Sequence, residues 1–153
     1  MNPDRVAIAL EPAVEQKRQA HADAEPMLPL LMVETKDDQL VIVGLAMDKP
    51  YWPEMAAQAA AMLGCRSLVF VADARTRQYR GEGDEGGVPE DDPDHIDCLV
   101  ATGVDLDGAA VAVKLYRIAD DGSLAFDETQ TQRGSMGPQV EWLTEAFLAG
   151  ADV

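Results

Sequence analysis

Between Leu40 and Asp73 two apolar runs flank a helical segment, and this spacing narrows the fold more than any other stretch of the chain. Leu40 to Met47 has the composition of a strand. Pro53 and Glu54 then open a helix whose Met55, Ala59, Met62 and Leu63 recur at i, i+4, i+7 and i+8, and Gly64 stops it. Ser67 to Asp73 is strand-like again. Strand, helix and strand so closely joined predict a parallel βαβ crossover, which is right-handed almost without exception.

The flanking segments extend this unit into a larger sheet. Leu28 to Glu34 precedes Leu40 to Met47 across the polar turn Lys36-Asp37-Asp38-Gln39, which predicts an antiparallel hairpin with both runs buried on two faces. Glu11 to Ala24 predicts an N-terminal helix with Pro12 in its first turn and Pro26 and Pro29 beyond its end. Residues 1–25 therefore read as a helical arm able to pack on another subunit. Downstream, Cys98 to Asp105, Ala109 to Ile118 and Ser123 to Asp127 predict a meander turned at Asp107-Gly108 and Asp121-Gly122. Pro138 to Ala149 closes the chain as a helix, with Val140, Leu143 and Phe147 on one face and Gly150 as its stop. Residues 81–97 form the one long irregular segment, expected to be a flexible acidic loop. The sum is a single α+β domain over residues 1–153. Its sheet is mixed and mostly antiparallel, of about six strands with one βαβ unit, and its helices pack mainly on one face.

Charge excludes several classes of partner. A formal net charge of -16 repels phosphate backbones and anionic membranes, so neither nucleic acid nor a membrane surface is expected as a direct partner. No apolar run is long enough to span a bilayer, and Asp4 and Arg5 stand where a signal peptide would be apolar, which predicts a cytoplasmic protein. Apolar residues make up 47% of the chain but aromatic ones only 5%, so the core is expected to be aliphatic. Cys65 and Cys98 lack metal-ligand spacing and read as reduced core thiols.

Few residues have the pattern of chemistry. Asp48 and Asp73 follow the two strands of the predicted crossover, where open α/β sheets hold ligands, and Asp94 and Asp97 of the acidic loop could complete an oxygen cage for a divalent cation. No organic cofactor is expected. Glu34-Thr35-Lys36 has the ExK spacing of metal-dependent nucleases but lacks an upstream Asp and a basic surface. The dense carboxylates from Glu90 to Asp97 do not match an EF-hand, and His21 and His95 belong to no nucleophile motif. Tyr51 and Trp52, with Glu90, Asp91 and Asp92, are candidate contacts for a protein partner, although Trp52 is also placed to staple a helix entry.

Residues 63–74 (LGCRSLVFVADA), 92–99 (DPDHIDCL) and the Asp107-Gly108 hairpin resemble a widespread family of small bacterial and phage proteins of unestablished activity. The resemblance covers roughly residues 40–130 and departs at Arg75, where the family often has tryptophan. It implies an α+β fold and a phage or mobile-element context, hence virion association if the chain is phage-encoded, and it supplies no chemistry. Three functions stay open: a non-enzymatic acidic binding or assembly protein with a protein partner or a second copy, a divalent-metal-dependent hydrolase centred on Asp48 and Asp73, and a DNA mimic that blocks a basic protein.

Overall fold

The computed structural model describes residues 1–76, 91–134 and 139–151. Its helices are α1 (Pro3–Ala22), α2 (Trp52–Leu63) and α3 (Gln139–Ala151), with one 3-10 turn at Lys49–Tyr51. The strands are β1 (Leu30–Glu34), β2 (Leu40–Gly44), β3 (Ser67–Thr76), β4 (Ile96–Asp105), β5 (Gly108–Ile118), β6 (Leu124–Phe126) and β7 (Gln130–Arg133). They form one sheet in the order β2-β1-β3-β4-β5-β6, and β7 also pairs with β5. The class is α+β, as expected, and every pairing among the described strands is antiparallel.

The strand–helix–strand crossover takes a split form. Both β2 and β3 are antiparallel to β1, so they run in the same direction with β1 between them, and α2 crosses over β1.

Alternation along the strands builds two cores. Leu30, Met32, Val69, Val71, Leu99 and Ala101 face α1, while Leu31, Val33, Leu68 and Phe70 face α2 and α3. Two of the three described helices thus share one face, and α1 lies on the other. The first core takes Val6, Leu10 and Ala13 from α1; burying Val6 and Leu10 contributes roughly 1.5–3 kcal/mol each. The N-terminal helix accordingly lies on the sheet of its own chain.

Local chemistry explains where the elements depart from expectation. α1 starts at Pro3 rather than Glu11, because Asn2 Oδ1 accepts the Asp4 amide at 3.0 Å and Pro3 supplies a preset φ at the first turn. Pro12 consequently sits inside the helix, where packing by Val6, Leu10 and Ala13 offsets one missing backbone hydrogen bond. β2 is an edge strand, exposed at alternate positions, so only β1 of the hairpin is buried on both faces. The hairpin turn closes with Asp38 at φ 62°, a left-handed position filled by Asp rather than Gly. α2 buries Ala56 and Ala60, and Met62 of the expected face is 85% exposed. β7, polar throughout and exposed, has no hydrophobic signature by which to find it.

Gly150 lies inside α3 instead of ending it. A Cβ there would stand 2.5 Å from the Ala60 carbonyl oxygen and 2.7 Å from Cys65 Sγ, so the glycine permits α2 and α3 to meet backbone to backbone. Much of the segment expected as an acidic loop, 81–97, falls outside the described residues. Ile96 and Asp97 belong to β4, and residues 91–95 form a turn in which the His95 amide donates to the Asp92 carbonyl at 3.1 Å. Gly150→Ala is expected to lower stability by about 1–3 kcal/mol through this overpacking, seen as a lower urea midpoint. An unchanged midpoint would contradict the close α2–α3 contact.

Candidate functional site: a pinned carboxylate and an open groove

The first site forms where α1 crosses the far end of the sheet. Strand alternation carries Asp73 onto the α1 face after Val69 and Val71, and the register sets Asp97 opposite both Arg75 and Tyr116. The Tyr116 hydroxyl donates to Asp73 Oδ1 at 2.5 Å, and Lys17 Nζ donates to Oδ2 at 2.6 Å. Lys17 also lies 5.3 Å from the centroid of the Tyr116 ring. With His21 and Asp97 these groups line a cleft of about 480 Å³.

The electrostatics favour holding over reacting. Burial, and then the hydrogen bond to Asp73, keeps the Tyr116 phenol protonated well beyond its usual range. Burial, followed by Asp73 and Asp97, pushes the Cys98 thiol up to about 11. Asp73 engages both oxygens, and Cys98 is a protonated thiol directed at the Ala74 carbonyl at 3.7 Å. The cluster fastens α1 to β3 and β5.

The candidate metal ligands do not assemble as a set. Asp73 lies within β3 rather than beyond it, and only Asp73 and Asp97 line the shared cleft. Asp48 opens the 3-10 turn, its carbonyl accepting the Tyr51 amide at 2.9 Å, and Asp94 belongs to the turn before β4. Among the described residues, no group of three or more His, Cys, Asp or Glu side chains could hold a metal ion. Trp52 packs inward: its indole donates to the Met47 carbonyl at 3.0 Å, and its ring lies 5.3 Å from that of Phe70. Tyr51 is 58% exposed. Asp91 and Asp92 belong to the turn preceding β4, and Glu90 lies outside the described residues.

A second site has no counterpart in the sequence expectations. α1 lies over β4, β5 and β7 and reaches β3 with its margin; on the same face Leu30 and Met32 of β1 are buried beside it, and β2 stands beyond it with Leu40 and Ile42 exposed. Two clefts follow one another along that side of α1. The first, about 280 Å³, has Met32 and Val69 in its floor, and the second, about 470 Å³, has Leu30 and Ile42. Ile8, Leu40 and Ile42 stand along them, 62%, 57% and 43% exposed. Carboxylates rim both clefts: Glu11, Glu34 and Asp38 at one end, Asp23 and Glu25 at the other. Glu34 pairs with Arg5, and Asp38 with Arg66 at 2.5 Å. The signal that could have revealed the groove is the apolar Leu40 and Ile42 on a strand at the sheet edge, which the hairpin pattern alone does not distinguish from a buried strand.

Tyr116→Phe is expected to cost about 1–3 kcal/mol, since it removes a hydrogen bond to a charged acceptor that Lys17 still holds. The pH dependence follows from the two raised pKa values. Cys98 and Tyr116 bind their protons more tightly folded than unfolded, so each stabilises fully below its ordinary value, 9.0 for the thiol and 10.0 for the phenol; the Cys98 share is lost as pH climbs from 9.0 towards 11, and the Tyr116 share begins to fall above 10.0. Urea midpoints across that interval should fall, and Tyr116→Phe should flatten the upper part; a midpoint constant with pH would contradict both assignments. Compared with protein-family models, curated proteins and solved structures, the chain matches none, so the likeness of residues 63–74 and 92–99 to small bacterial and phage proteins carries no family assignment.

Proposed function

We propose that this chain is a non-enzymatic binding protein whose partner is a basic, partly apolar polypeptide. The observation that carries this is the strip between α1 and β2, where exposed Ile8, Leu40 and Ile42 lie between carboxylates at its two ends. Apolar contact supplies affinity, and the acidic rim selects and steers a cationic partner.

The charge distribution supports the same reading. Lys17, Arg5, Arg66 and Arg117 each form an ion pair within the chain, so internal pairing consumes cations that are scarce and leaves the acidic excess at the surface. Asp73, which a hydrolase centred on it would need as a metal ligand, engages both oxygens with Lys17 and Tyr116. Among the described residues no helix is long and apolar enough to cross a membrane.

Calorimetric titration with three short synthetic peptides tests the proposal: one alternating lysine and valine, one of lysine alone with the same charge, and one alternating glutamate and valine. At 0.15 M salt exposed charges are screened beyond about 8 Å, so the lysine–valine peptide should bind at least about tenfold more tightly than oligolysine, and the glutamate–valine peptide should not bind. Equal loss of both cationic peptides on adding salt would reduce the interaction to net charge and overturn the proposal.

A further inference from the structure

The groove is bounded on one side by an unpaired sheet edge, and the register identifies which of its backbone groups are already used. β2 stands at the end of the strand order. The Thr35 amide donates to the Gln39 carbonyl at 2.8 Å, and the Leu45 amide donates to the Pro29 carbonyl at 2.8 Å, so the odd-numbered positions of the hairpin's second arm face β1. In an antiparallel ladder the intervening residues point their amides and carbonyls the other way. For β2 these are Leu40, Ile42 and Gly44, and Leu40 and Ile42 are also the residues whose side chains stand exposed along the clefts. Edge strands are commonly blunted by lysine, proline or a bulge. The sequence of β2, LVIVG, contains neither residue, and its five positions pair with β1 without a break.

Resting on the binding function above, we propose that the partner is held by strand addition: an extended basic segment pairs along β2 through the backbone of Leu40, Ile42 and Gly44. Apolar side chains of the set that faces α1 enter the two clefts, and Lys or Arg side chains at the two ends of the segment meet the carboxylates there. Backbone pairing gives affinity and the pockets select every second side chain, the usual division of labour in this mode of recognition. Charge selects the occupant. Glu11 and Glu25, at opposite ends of the groove, make no ion pair among the described residues, so a cationic segment finds unneutralised carboxylates at both ends. A second copy would bring the same acidic rim and another net charge of -16 against this one.

Amide-shift mapping of the full chain with the lysine–valine peptide tests the inference, together with two forms of that peptide N-methylated on one or the other alternating set of residues. The largest shifts are expected at Leu40, Ile42 and Gly44. Methylating the set that faces β2 should weaken binding by about tenfold or more, and methylating the other set should not. Ile42→Pro removes an amide that points away from β1 and should weaken the unmodified peptide to a similar degree; Leu40→Lys, which sets a cation in the groove, gives the same loss if the proline variant does not fold. Equal affinity of the two methylated forms, or shifts confined to α2 and α3, would overturn strand addition while leaving the binding function in place. Failure of the unmodified peptide to bind would overturn both.

Discussion

The attachment of α1 to the sheet decides what the rest of the molecule can present. Lys17 and Tyr116 meet on Asp73, Arg18 donates to the Leu124 carbonyl at 3.0 Å, and His21 Nε2 lies 2.8 Å from the Gly122 carbonyl. Near the other end, Arg5 pairs with Glu34. Gly103 allows the close approach between, since a Cβ there would stand 2.8 Å from Val6 Cγ2. These contacts hold the helix over β4 and β5. The exposed apolar strip along β2 is the complement of that placement: a helix shifted towards β2 would cover Leu40 and Ile42, and would lose Asp73.

The two faces of the sheet therefore differ in completeness. On one face α2 and α3 pack together and enclose Phe70 between Trp52 and Trp142, whose rings lie 5.3 and 5.0 Å from it. On the other, a single helix of 20 residues must serve seven strands, and it serves only part of them. An acidic chain tolerates the remaining apolar strip because like charges along its margins oppose indiscriminate association. The same charge then favours a cationic occupant.

Much of the sheet was legible in the sequence. Aliphatic runs interrupted by Gly64, Asp107-Gly108 and Asp121-Gly122 place strands β3 to β6 within a few residues, because turn chemistry there is local. The α1 start was equally local, in Asn2-Pro3-Asp4, and was masked by the stronger helical composition downstream. What sequence could not rank was exposure: the alternating burial of β2 and the inward face of α2 at Ala56 and Ala60 depend on which neighbours arrive, and those are distant in the chain. Asp73 was visible as a residue of interest, but its partners Lys17 and Tyr116 lie 56 and 43 positions away, so a carboxylate that could have been a metal ligand is an anchor for α1. The groove, made by a helix and a strand that do not adjoin in sequence, was out of reach for the same reason.

The central claim is that β2 is an open edge whose free backbone groups alternate with bonded ones. Native-state hydrogen exchange of the unliganded chain, resolved by residue, tests it most directly. The register predicts slow exchange at Val41 and Val43, whose amides face β1, and fast exchange at Leu40, Ile42 and Gly44, whose amides face outward. Uniform protection along Leu40–Gly44 would mean that something already pairs with this edge, and would contradict the account.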